Sequence, residues 1–329
     1  MHRAILPPAT SLPKETANLK NYLIKRFLLM IGTILTIASL TFILMHLIPG
    51  SPFEQDRQTS VAVQENLRAF HQLDQPLYIQ YFSYLKSIAT FNFGPSIASP
   101  DTTVNELIGR GFPVSFELGM WAIGIALVSG LVLGVMAALH HNGLIDHLCM
   151  GIAVLSISIP NFVLSTLLIQ EFAVNLGWFP AATWRTPMHM VLPVTALATA
   201  PMAIIARLIR ASMLETLTQD YIKMARAKGL SPMRVVIRHA LRNALMPVVT
   251  LLGTLMASIL TGTFVIEKIF AIPGMGRYFI DSISTRDYPV IMGTTVFYST
   301  ILVFMLFLVD MAYCLLDPRI RLHHKEAQA

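Results

Sequence analysis

"LGMWAIGIALVSGLVLGVMAAL" (118–139) contains no charged side chain. Its length suits a helix crossing a bilayer, which takes about 20 residues. Five further stretches read the same way: 27–48, 148–170, 190–206, 244–266 and 290–316. The stretch at 190–206 is short and holds Pro193 and Pro201. Membrane helices tolerate proline where neighbours satisfy the freed carbonyls. Only 13% of the 329 residues are charged and 54% are hydrophobic, whereas soluble domains average about 25% charged. The fold expected is all-α, a polytopic membrane protein with six transmembrane helices.

The first span is too long for a signal peptide, starts after about 20 polar residues, and leads into "HLIPGSPF" (46–53), which lacks a small-residue cleavage site. It is expected to anchor the chain. The net charge of +6 does not point to nucleic acid, because the basic residues cluster beside apolar segments. Cys149 and Cys314 lie in apolar stretches and read as small buried hydrophobes.

Charge sets the orientation. Arg3, Lys14, Lys20, Lys25 and Arg26 precede the first span. Arg207, Arg210, Lys223, Arg226, Lys228, Arg234, Arg238 and Arg242 lie between the fourth and fifth. Arg319, Arg321 and Lys325 follow the sixth. With six spans all three regions share a side, and basic short loops mark the cytoplasm. A multi-pass plasma (inner) membrane protein with both termini cytoplasmic is expected. It divides into an N-terminal arm (1–21), a first helix (22–48), an external, periplasmic loop (49–113), a main transmembrane domain (114–316) whose cytoplasmic loop is 213–243, and a C-terminal tail (317–329). In the external loop, "DQPLYIQYFSYLKS" (74–87) sets Tyr78, Tyr81, Phe82 and Lys86 at helical spacing. That predicts an amphipathic helix on the membrane surface, against a partner, or packed locally.

The cytoplasmic loop predicts a helix–turn–helix. "DYIKMARA" (220–227) forms helix readily, and Gly229 is placed to end it with a left-handed cap. Ser231 fits an N-cap and Pro232 a first helical position. A second helix from Pro232 to about Leu245 reaches the fifth span near Pro247. Arg234, Arg238 and Arg242 form one stripe on it, beside His239. A stripe alone suits anionic lipid headgroups. It gives no reason for the glycine turn.

"DYIKMARAKGLSPMRVVIRHALRNALMPVV" (220–249) resembles the cytoplasmic coupling loop of binding-protein-dependent ABC importer permeases, in the dipeptide/oligopeptide/nickel branch. Further blocks extend the resemblance: "LIPGSPF" (47–53), "LDQPLYIQYFSYLKS" (73–87), "FNFGPS" (91–96), "FPVSFELG" (112–119), "SIPNFVL" (158–164), "IFAIPGMGRYFIDSISTRDYPVIMG" (269–293) and "VDMAYCLLDPRIR" (309–321). "PGSPF", "QYFSYLK" and "FGPS" are most similar to the oligopeptide permease B-subunit group. The resemblance implies a type I ABC importer transmembrane domain. It implies that Ala225, Arg226, Ala227, Lys228, Gly229 and Leu230 dock on an ATPase. It places Pro273, Gly274 and Gly276 at an external gate. The implied partners are a homologous second permease, cytoplasmic ABC ATPase subunits and an extracytoplasmic peptide-binding protein, besides membrane lipid. The wider permease motif begins Glu-Ala-Ala before the glycine, where this chain has Lys223, Met224 and Ala225.

No G-x-x-x-x-G-K-[ST] loop occurs. No cofactor is expected on this chain; ATP-Mg belongs to the partner ATPase, and the chain is expected to be a transport subunit, not an enzyme. His140, His141 and His147 read as solvated loop residues rather than metal ligands. Asp310 lies inside the last span, where ionisable groups are functional candidates; the alternative is a helix–helix hydrogen bond. Gly130 and Gly134 form a small-xxx-small pair, suited to close contact with another helix, including one of a partner permease. Ser156, Ser158, Ser165, Thr166, Thr195, Thr199, Thr250, Thr254, Ser258, Thr261 and Thr263 offer hydroxyls for a polar passage of low selectivity. The expected function is import of oligopeptides. Dipeptides, nickel, glutathione or antimicrobial peptides are alternatives for the same machine, and an ion-coupled secondary transporter is the rival of another class.

Overall fold

A computed structural model describes residues 15–47 and 74–316, with side chains throughout except at 15–22, 261, 262, 310 and 312–316. The N-terminal residues 1–14, the loop 48–73, the tail 317–329 and the side chains of Thr261, Asp310 and Cys314 lie outside the described residues. Every regular element among the described residues is a helix. They are α1 (Glu15–Leu47), α2 (Leu77–Ala89), α3 (Val104–Leu139), α4 (Leu144–Ser158), α5 (Asn161–Leu168), α6 (Pro187–Leu217), α7 (Asp220–Ala227), α8 (Pro232–Ala244), α9 (Met246–Ile269), α10 (Met275–Thr285) and α11 (Tyr288–Leu316).

Among the described residues four helices are long and apolar enough to cross a membrane: α1 from Leu23, α3, α6 and α11 to Val309. The count reaches six if each of two bent pairs is one span. Where the sequence predicts one straight span over 148–170, the chain turns by 103° between α4 and α5. The cause is Pro160. A residue before proline is driven out of the helical region, and Ile159 sits at φ −94°, ψ 118°. Beyond α5 the helix widens into a π-helical turn, Ile169–Asn175. The second bend, 51°, separates α8 from α9. Pro193 and Pro201 are both buried within an unbroken α6, which runs past the predicted end at 206 to Leu217.

The core forms around α3 and α6. Cβ atoms added at Gly130 and Gly134 would lie 2.7 Å from the Met202 carbonyl oxygen and 2.6 Å from that of Ala206. The two backbones are therefore nearly in contact, as small residues permit. The glycine pair serves this chain's own α6. Leu118, Ala122 and Ala126 of α3 join Ile205, Ile209 and Met213 of α6 in the largest apolar cluster. Cys149 is buried and free.

The first span packs on the last. Ala38 and Phe42 of α1 cluster with Val296 of α11 and with Tyr84 of α2. Met45 meets Tyr288 and Ile291. The predicted amphipathic helix is α2: Tyr78, Phe82 and Lys86 are exposed, while half-buried Tyr81 turns inward to hydrogen-bond Ser39 at 2.7 Å.

Candidate functional site

The α6 end, α7 and α8 make one face of the molecule. Helix α7 ends as its sequence predicts. Gly229 has φ +76°, a region open to glycine at no steric cost. Its amide donates to the Arg226 carbonyl at 2.9 Å, and the Leu230 amide donates to the Ala225 carbonyl at 3.4 Å. This pair of bonds is a Schellman cap, which satisfies carbonyls the helix end leaves free. Pro232 takes the first helical position, but Ser231 makes no side-chain cap. Ser231 contributes its carbonyl, which accepts from the Val235 amide at 3.1 Å.

Ile222 and Ala225 of α7 are buried with Val235, Ala240 and Ala244 of α8, against Ile209 and Met213 of α6. Ala225 therefore packs within its own chain, and Arg226, Ala227, Lys228 and Gly229 are the exposed part of "ARAKGL"; Leu230 is half-buried. A hydrogen bond of 2.7 Å from the Asn243 amide to the Tyr221 hydroxyl ties α8 to α7. Arg234, Arg238 and Arg242 are all exposed, while His239 and Pro247 are half-buried. Between the charges sit three uncovered apolar side chains: Met224, Met233 and Ile237, 61%, 68% and 54% exposed. The middle of α8, Val235–Leu241, is π-helical, a form frequent at functional sites.

One strong contact here is absent from the sequence reading. Asp146 at the start of α4 is buried, and Arg210 near the end of α6 clamps it: Nε donates to Oδ1 at 2.6 Å and Nη2 to Oδ2 at 2.7 Å. The Asn142 amide adds a third bond to the carboxylate at 2.9 Å. Arg210 is one of several loop arginines, and nothing in the spacing of Asp146, 64 residues away, announces the pair. His141 approaches the same carboxylate at 3.5 Å; His140 and His147 are exposed.

"IPGMG" follows the end of α9 far from the α8 bend. Pro273 is exposed, but Gly274, Met275 and Gly276 are buried, so the stretch is no plain external turn. Gly274 stands at the N-cap of α10 and has no side chain to cap with. Two other helices supply the acceptors. Ser115 Oγ of α3 accepts from the Met275 amide at 2.9 Å, and Glu267 Oε2 of α9 accepts from the Gly276 amide at 2.7 Å. The glycines are required by space. A Cβ on Gly274 would collide with Glu267 Oε2, and one on Gly276 with the backbone of Phe264. Gly111 of α3 also lies close to Met275, whose amide nitrogen would be 2.8 Å from an added Cβ. Glu267 is fully buried, and its Oε1 and the buried Tyr298 hydroxyl have no hydrogen-bond partner among the described residues. Glu267 and Ser115 are residues the sequence reading passes over.

Several intramembrane hydroxyls are spent locally. Ser158, Ser165, Thr166, Thr195, Thr199 and Thr263 each donate to a carbonyl of their own helix. The Asp310 side chain lies outside the described residues.

Residues 130–322, which include the α7–α8 hairpin and the 272–276 stretch, match the model of the binding-protein-dependent transport system inner membrane component. The chain belongs to that family. It is a permease subunit of an ABC importer, with the type I fold. It is 69% identical over 304 residues to the dipeptide transport system permease DppB of Bacillus subtilis, covering 92% of this chain and 99% of that protein. It is 42% identical over 302 residues to the oligopeptide permease OppB of Haemophilus influenzae, covering 91% and 99%. Among solved structures, an inward-facing MetNI methionine ABC transporter aligns with a TM-score of 0.51 at 21% identity, covering 65% of this chain and 94% of that one. That likeness concerns the fold alone.

Proposed function

We propose that this permease passes short peptides inward, driven by ATP hydrolysed on separate ATPase subunits. The observation that carries the substrate class is the 69% identity to a dipeptide permease along nearly the whole chain. Oligopeptides remain within reach, given the 42% identity to OppB. The 69% match puts dipeptides first.

The ATPase docks on the α7–α8 hairpin. Its inner face is packed on α6, while Met224, Met233 and Ile237 stay uncovered among Arg226, Lys228 and Arg234. An apolar patch rimmed by polar groups suits a protein partner. The basic hairpin faces the cytoplasm, and the 272–276 segment faces a peptide-binding protein outside. A second, homologous permease completes the pathway. This chain hydrolyses nothing itself.

The test is a gentle-detergent pull-down of the tagged chain, with co-purifying proteins identified by mass spectrometry. An ATPase and a second permease are expected. A chain recovered alone, from membranes that contain the candidate ATPase, contradicts the assembly.

A further inference from the structure

The buried Glu267 carboxylate has no place in the docking face, yet it is bonded to the backbone of the α10 N-terminus, beyond the far end of α9. We propose that Glu267 is a positioning residue. By capping α10 from α9, it makes the 272–276 turn move with α9, so that displacement of α8 reaches the α10 N-terminus.

The connection is continuous along the chain. Helix α8 joins α9 through the bend at Leu245. Helix α9 has 24 residues, about 36 Å at 1.5 Å per residue. Glu267 stands in its last turn. From there it reaches the second amide of α10, while its own carbonyl accepts from the Ile272 amide at 2.8 Å. A side-chain oxygen at a helix N-terminus can accept from amides that the helix leaves free. Gly274 supplies no cap of its own, so the α10 N-terminus depends on α9 and α3 for its acceptors. Gly274 and Gly276 admit the carboxylate and the Phe264 backbone at a distance no side chain would permit. Ser115 Oγ provides the second tie, to α3. Two helices thus hold adjacent amides of α10, and relative motion of α9 and α3 must strain or release that end.

The proposal rests on the reading of this chain as an ATP-driven permease, so its test carries one readout that needs no transport. The complete complex is purified with wild type, Glu267→Gln, Glu267→Ala and Ser115→Ala. Amide hydrogen exchange over residues 272–280 reads the tie directly. Exchange is expected to rise about tenfold or more in Glu267→Ala, to rise less in Ser115→Ala, and to stay near wild type in Glu267→Gln, whose amide oxygen still accepts. Residues 220–230 are expected to keep wild-type exchange. In reconstituted vesicles, Glu267→Ala is expected to lose about tenfold in peptide moved per ATP, with ATPase activity no longer dependent on the binding protein. Glu267→Gln is expected to restore coupling. Unchanged exchange in Glu267→Ala, or equal losses in the Gln and Ala variants, overturns the proposal. If Glu267→Ala fails to assemble, Ser115→Ala decides, and wild-type exchange and coupling there overturn it. Wild-type vesicles that take up no peptide count against the transport reading, and the exchange result stands apart from them.

Discussion

Replacing Gly229 separates backbone strain from steric contact. Its φ is +76°, and among the described residues no atom beyond its chain neighbours lies within 4 Å of an added Cβ. Alanine therefore meets no clash and costs only the left-handed conformation, about 1–2 kcal/mol. That shifts the turn's equilibrium about tenfold. Asparagine, which visits this region more readily, costs less. Proline is different in kind. It cannot take a positive φ, and it removes the amide that donates to Arg226. That costs about 3 kcal/mol or more, a shift of over about a hundredfold. The assay is the amount of ATPase retained on the tagged permease, with peptide uptake measured beside it. The expected order of retention is Gly, Asn, Ala, Pro, with proline near zero. Wild-type retention in Gly229→Pro refutes the turn as the docking element. Loss in Gly229→Ala as complete as in proline refutes the strain account, since no contact among the described residues explains it.

Other predictions follow the same geometry. Gly134→Ala sets a Cβ 2.6 Å from the Ala206 carbonyl oxygen and 2.7 Å from Ile209 Cβ; overpacking of this kind costs about 1–3 kcal/mol, read as a lower unfolding temperature in detergent, whereas Gly124→Ala, inside the same helix with open space around it, does not lower that temperature. Asp146→Ala strands Arg210, which keeps 26% side-chain exposure, so the loss is expected at the low end of the range for a broken buried pair, about 3 kcal/mol; the double variant Asp146→Ala with Arg210→Met is expected to recover part of it in the same melt. Reversing Arg226 and Lys228 together to Glu is expected to release ATPase from the membrane fraction at physiological salt while the permease keeps its level; full retention contradicts a docking role for those charges.

The sequence is most legible where the chain is locally determined. Apolar runs, the α7 stop at Gly229 and the proline start of α8 follow from rules acting over a few residues. The spans at 118–139 and 290–316 sit inside α3 and α11. The bend after Ser158 was also open to local reading, because Pro160 acts on Ile159, but the unbroken hydrophobicity of 148–170 outweighs it in a periodicity argument. The partners of Glu267, Ser115 and Asp146 are another matter. Those of Ser115 and Asp146 are set by packing between helices distant in sequence, that of Glu267 by how the chain turns from α9 into α10, and a single carboxylate in "VIEKIF" or "GLIDH" looks like any solvated charge. The glycines at 130 and 134 announce close contact but not its partner, which is α6 of the same chain.

The most direct test of the account is peptide uptake by vesicles holding the complete complex, with ATP and a protonophore varied independently. Dipeptide accumulation that requires ATP inside the partner's ATPase compartment and persists with the protonophore is the predicted result. Accumulation that continues without ATP and collapses with the protonophore contradicts it and makes the chain an ion-coupled transporter.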